Sequence, residues 1–131
     1  MNELILRAMA PVLADAAATG APVPKVAEST WPAPNDGCAF LHNDRGSGMG
    51  AWLPTGLSDP EQVATIADQV QEWVVEELWS LHRRTNWPRC PNHPHTHPLT
   101  AVPGVDAALW ACPTTREAKA AVGDLGPSYP R

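Results

Sequence analysis

The chain has 131 residues, a net charge of −5 and a pI near 5.4. That length allows one domain, or one small domain with appendages. The acidic balance argues against a non-specific nucleic-acid or anionic-membrane surface, which would favour basic side chains.

Hydrophobic residues make up 44%, enough for a modest core, while fifteen prolines are too many for continuous regular structure. Only one Phe and one Tyr occur, so large aromatic burial falls to Trp31, Trp52, Trp73, Trp79, Trp87 and Trp110. Three cysteines are an odd number, which does not read as a disulfide framework and suits a reducing compartment. Glu3 and Arg7 spoil a secretory signal, and no run reaches the roughly 20 apolar residues of a membrane span. The expected location is therefore cytoplasmic, with no membrane partner.

Three segments are expected: a helix and Pro-rich arm over 1–37, a hairpin and long helix over 38–84, and a metal module with its tail over 85–131. Leu4, Ile5, Met9, Val12, Leu13 and Ala16 recur at helical spacing within 3–17. Pro11 should kink that helix or divide it, because an interior proline removes one bond and crowds the preceding turn. Residues 18–37 carry Gly20, Pro22, Pro24, Pro32, Pro34 and Gly37, and read as an extended arm with one short strand near Val23 to Val26.

Residues 38–54 suggest a β-hairpin, with Cys38, Phe40 and His42 on one alternating face and turn chemistry from Asn43 to Gly48. Cys38 is expected to be a small core residue. The glycines at 46, 48 and 50 imitate a phosphate cradle, but no Lys-Ser/Thr pair and no prompt helix follow them.

The strongest helix signal covers 58–82. Ser58 and Glu61 fit a capping box, and Pro60 is tolerated in a first turn. Val63, Ile66, Ala67, Val70, Trp73, Val74, Leu78 and Leu81 form the apolar stripe. Glu76 and Glu77 read as a solvated face, and Val75 with Trp79 hint at a second buried face.

The metal candidates follow Trp87-Pro88. Cys90 and His93 stand in C-x2-H spacing, His97 follows four residues on, and Cys112 closes the set fifteen residues later. Two thiolates and two imidazoles suit tetrahedral Zn²⁺, and four protein ligands make such an ion structural. Pro91 stiffens the turn between the first two ligands. His95 competes with His93 and His97. The rival readings are a bare Pro/His-rich loop, another metal, or a Cys90–Cys112 disulfide. Val102, Val105, Ala107 and Leu109 can supply a short hairpin around Pro103-Gly104, with Trp87 and Trp110 walling the site. Thr114 or Thr115 can cap a tail helix through Ala118, Ala120 and Val122. No H-E-x-x-H, deaminase-type or nucleophile–base pattern occurs, so the chain is expected not to be an enzyme.

The run W-P-x-C-P-x-H-P-x-x-H-P-L…W-x-C-P is carried by Trp87, Pro88, Cys90, Pro91, His93, Pro94, His97, Pro98, Leu99, Trp110, Cys112 and Pro113. With the preceding V-x-x-W-x-x-E-x-L-W helix, it resembles a group of small uncharacterised proteins of actinobacteria and of their tailed phages and prophages. The resemblance covers roughly 58–125. It implies a non-enzymatic structural or assembly protein, a virion component near the capsid or head–tail junction, partnered by virion proteins or by itself.

The expected fold is thus α+β: one long amphipathic helix, a β-hairpin, a C-terminal zinc-ribbon-like module and an extended Pro-rich N-terminal arm. The alternative function is a zinc-ribbon-like regulatory module binding nucleic acid or protein, in which Arg83, Arg84 and Arg89 would matter.

Overall fold

The computed structural model describes residues 2–30, 34–127 and 129. The described residues form an α+β fold of two helices and two three-stranded antiparallel sheets.

Helix α1 (Glu3–Ala18) starts where Asn2 Oδ1 accepts the Leu4 amide at 2.7 Å. It runs unbroken through Pro11, against the expected kink or division. The reason lies in packing: Ile5, Ala8, Met9, Val12 and Ala16 are buried on both sides of the proline, and that burial outweighs one lost backbone bond. α1 is therefore a core element.

Strand β1 (Lys25–Glu28) pairs with β2 (Cys38–His42), and β2 pairs with β3 (Gly48–Trp52). The expected hairpin is present, but it is completed to three strands by part of the stretch read as an extended arm. Trp31 and Pro32 lie outside the described residues. The buried side of β2 is set by Ala39 and Leu41; Cys38, Phe40 and His42 share the half-covered side. Cys38 is thus not a core residue, and its thiol donates to the Ser29 carbonyl at 2.9 Å. A strand fixes which residues share a face, but only the rest of the fold decides which face is covered.

Helix α2 (Asp59–Ser80) opens with the expected capping box: Ser58 Oγ accepts the Glu61 amide at 3.3 Å, and Glu61 Oε1 accepts the Ser58 amide at 3.0 Å. Ile66, Ala67, Val70, Trp73, Val74 and Leu78 are buried. Three polar residues depart from the amphipathic picture. Gln69 binds both backbone groups of Trp52, at 2.9 and 3.0 Å, so a side chain continues the free edge of β3. Glu77 is buried rather than solvated, accepting from Asn43 Nδ2 at 3.0 Å and Arg45 at 3.4 Å. Gln71 is buried too. Trp79 does not build a second buried face, since it is 73% exposed, and Leu81 is exposed as well.

The second sheet comprises β4 (Thr100–Pro103), β5 (Ala108–Ala111) and β6 (Ala118–Ala121), in that order. The β4–β5 hairpin matches the expected one. β6 replaces the expected tail helix. Its alanines favour a helix in isolation, but the open edge of β5 offers a ladder, with a register shift at Trp110/Ala111. The end of β6 leads into Gly123, at φ +106°, where a Cβ would stand 2.9 Å from Pro11 Cβ. Only glycine fits both the backbone and the approach.

One buried cluster spans α1, β2, β3, α2 and β5, from Ile5 and Leu41 through Trp73 to Trp110 and Leu125, with Val26, Ala101 and Ala120 of β1, β4 and β6 packed against it. The two tryptophans beside the metal candidates meet edge to face, with ring centroids 5.8 Å apart. Each indole N–H reaches the end of α1: Trp87 donates to Thr19 Oγ1 at 2.9 Å, and Trp110 to Asp15 Oδ2 at 2.8 Å. Among the described residues, no helix is long and apolar enough to cross a membrane.

Candidate metal centre

Two backbone segments build the site. The first is the loop 90–97, whose neck is closed by an antiparallel bridge between Arg89 and Pro98 and by the Leu99 amide donating to the Pro88 carbonyl at 2.7 Å. Inside it the His93 amide donates to the Cys90 carbonyl at 3.1 Å, so the C-P-N-H run is a tight turn that brings both ligand candidates to one side. The second segment is the end of β5, which delivers Cys112 directly after the buried Trp110-Ala111 pair.

The neck is tied to α2. Gln71 Nε2 donates to the Trp87 carbonyl at 3.0 Å and to the Leu99 carbonyl at 2.7 Å, both in the interior. The Tyr129 hydroxyl donates to the Arg89 carbonyl at 2.6 Å, and Asn86 Nδ2 to the Pro94 carbonyl at 3.1 Å. The ligand loop, although rich in proline and turns, is thus fastened to helix and tail.

Cys90, His93, His97 and Cys112 converge. Their ligand atoms all lie within 4.8 Å of one another, and the set could hold a metal ion. His93 Nδ1 is 3.6 Å from both sulfurs, and His97 Nε2 is 4.0 Å from Cys112 Sγ. The cysteines are fully buried and the imidazoles partly so. His95 stands apart from this set and is exposed on the outer side of the loop.

The surrounding hydrogen bonds prepare the donors. His97 Nδ1 lies 3.1 Å from the Pro98 carbonyl, which fixes the tautomer with the proton on Nδ1 and frees the Nε2 lone pair. The Thr115 amide donates to Cys112 Sγ at 3.4 Å. Hydrogen bonding from Thr115, through its hydroxyl and then its amide, pulls the Cys112 thiol down to about 6, so the ligating thiolate predominates at neutral pH.

The four ligand candidates were recognisable from spacing. Gln71 was not, nor was Asp15, which holds Trp110 and is 0% exposed. Both occupy positions on apolar helical stripes, Gln71 between Ala67 and Val74 and Asp15 three residues after Val12. A polar residue on such a stripe is the signal that could have found them.

Comparison with protein-family models, with curated proteins and with solved structures found no match for this chain.

Proposed function

We propose that this chain is a small non-enzymatic structural or assembly protein whose C-terminal third is a zinc-ribbon-like module closed on one structural Zn²⁺. The observation that carries the reading is the disposition of the Cys90, His93, His97 and Cys112 donors. Ideal Zn–S and Zn–N bonds at a tetrahedral angle separate sulfur from nitrogen by about 3.6 Å. His93 Nδ1 stands at that separation from both sulfurs. Two thiolates with two imidazoles are the donors that borderline-soft Zn²⁺ prefers. All four positions of a tetrahedral ion would be taken by protein, leaving none for a reacting water, so the metal would crosslink the loop to β5 rather than catalyse.

Docking to other subunits is supported by Trp79, which leaves most of its indole in solvent at the end of α2, beside a groove that Met49 and Trp73 also line. Tryptophan is enriched in protein interfaces. The resemblance to phage proteins makes virion proteins near the capsid or head–tail junction the partners in this reading.

The test is metal content by mass spectrometry on protein purified without a histidine tag, with Cys90→Ser and Cys112→Ser beside the wild type. One zinc per chain, lost in both variants together with cooperative unfolding, is expected. A wild type that takes no zinc even after refolding in its presence would sink the reading.

A further inference from the structure

The −5 net charge is not spread evenly over the surface. Where α1 and α2 both end, a groove of about 530 Å³ runs between Gly20, His82, Arg83, Arg84, Trp87 and Arg89. A second groove of about 380 Å³ adjoins it, sharing Arg84, Asn86 and Arg89 and ending at His95 on the metal loop. Neither has an Asp or Glu in its wall. Three guanidinium groups, with two imidazoles beside them, therefore line a continuous basic cleft on an acidic molecule.

Helix-end electrostatics explain only part of it. Cations near helix C-termini are ordinary dipole partners, and Arg83 has that role, donating to the Gly20 carbonyl at 3.3 Å. Arg84 is exposed, and among the described residues it has no ion pair or hydrogen bond. Arg89 is the more telling residue. Its Nε is buried with no hydrogen-bond partner, a condition native proteins seldom leave uncompensated. Its position is fixed from both sides, because the adjoining Cys90 belongs to the metal set and its own carbonyl accepts from Tyr129.

We propose that this cleft binds a small phosphate-bearing anion, clamped between the guanidinium groups of Arg84 and Arg89. Guanidinium forks match phosphate oxygens in pairs, and two cations lining one groove favour a dianion over a single carboxylate. Leu78 and Trp87 also line the larger groove, but at 4% and 5% exposure they add little open apolar surface, so the guanidinium groups carry the recognition. The volume is that of a small-molecule site. A long polyanion is disfavoured by the net charge of −5 on the chain as a whole. The proposal stands independently of whether the chain docks to other subunits.

The experiment is calorimetric titration of the full, zinc-loaded chain with pyrophosphate, with a nucleoside monophosphate and with a duplex oligonucleotide. Arg84→Gln, Arg89→Gln and the control Arg7→Gln are compared, each after its zinc content has been checked. Saturable pyrophosphate or monophosphate binding is expected, weakened about tenfold or more by Arg84→Gln and unchanged by Arg7→Gln. Arg84 is exposed, so its variant remains decisive if Arg89→Gln fails to fold. No binding up to about 10 mM would overturn the proposal, as would binding that Arg84→Gln leaves intact. Tighter, steeply salt-dependent capture of the duplex, abolished by Arg84→Gln, would overturn it in favour of nucleic-acid backbone recognition.

Discussion

Asp15 and Trp110 are 95 residues apart in the chain and 2.8 Å apart in the fold, the carboxylate accepting the indole N–H. The same carboxylate takes the Gly123 amide at 2.7 Å and the Leu125 amide at 2.9 Å. Three donors converge on one buried acid, which is the only short side chain that accepts all of them at once. Asp15→Ala would strand all three and should cost about 3 kcal/mol or more. Urea unfolding measures it, and a loss below about 1 kcal/mol would show that the donors find other partners.

The same residue sets a pH dependence. Burial holds the Asp15 carboxyl above its ordinary 3.8, against the lowering effect of its Trp110, Gly123 and Leu125 donors. A carboxyl whose folded pKa exceeds its unfolded one binds its proton more tightly when folded. Its contribution is full below the unfolded value and is lost as pH rises through the folded one. Asp15→Asn abolishes this titration. The stability of the wild type minus that of the Asn variant should therefore fall as pH is raised from about 4 toward 7. Paired urea melts across that range check it, and a difference that grows with pH would contradict it.

Metal removal should be felt by the whole molecule. An ion held at a thousand times its dissociation constant contributes about 4 kcal/mol to the folded state. Chelation should lower Tm by about 10 °C or more. His93→Ala and His97→Ala should abolish tight metal binding, whereas His95→Ala should leave one equivalent bound. Loss of the metal on replacing His95 alone would reassign the ligand set.

Gln71 offers a test at one remove from the donors. Gln71→Leu keeps roughly the volume but releases the Trp87 and Leu99 carbonyls from their shared partner. Supporting interactions of this kind change metal affinity by about 10- to 100-fold. A competition titration with a chromophoric chelator reads the change, and an unaltered affinity would mean that the Arg89–Pro98 bridge holds the neck unaided.

Gly123→Ala probes the approach of the tail to α1. It combines a positive φ with a 2.9 Å contact to Pro11, and should destabilise by about 2 kcal/mol or more. Gly46→Ala, also at positive φ but facing open space, isolates the backbone part of that cost. Equal losses for the two would remove the contact from the account.

What the sequence revealed and what it concealed follow a physical line. The capping box at Ser58 and Glu61, the turn at Asn43 to Gly48 and the spacing of Cys90, His93 and His97 are local, and each was readable from residues within one or two turns of chain. The elements that were misread depend on distant partners. β6 overrides the helix preference of its alanines because β5 offers an edge, whereas the short strand expected near Val23 to Val26 is present at Lys25–Glu28, paired with β2. Glu77 passed for a solvated carboxylate because its partners, Asn43 and Arg45, lie more than thirty residues away.

The bonds from α1 to Trp87, Trp110, Gly123 and Leu125 also govern the order in which this protein can come into being. α1 precedes the other described elements in the chain, yet the groups that satisfy its buried acid lie 95 to 110 residues further on. Until they emerge, the helix can lay its apolar face on α2, but its carboxylate must stay in water. Pairings of such long sequence separation are slow to close and favour concerted folding over stepwise growth. A nascent chain halted before Trp110 should therefore hold α1 only loosely on α2, and the native packing should form only after Leu125 has emerged.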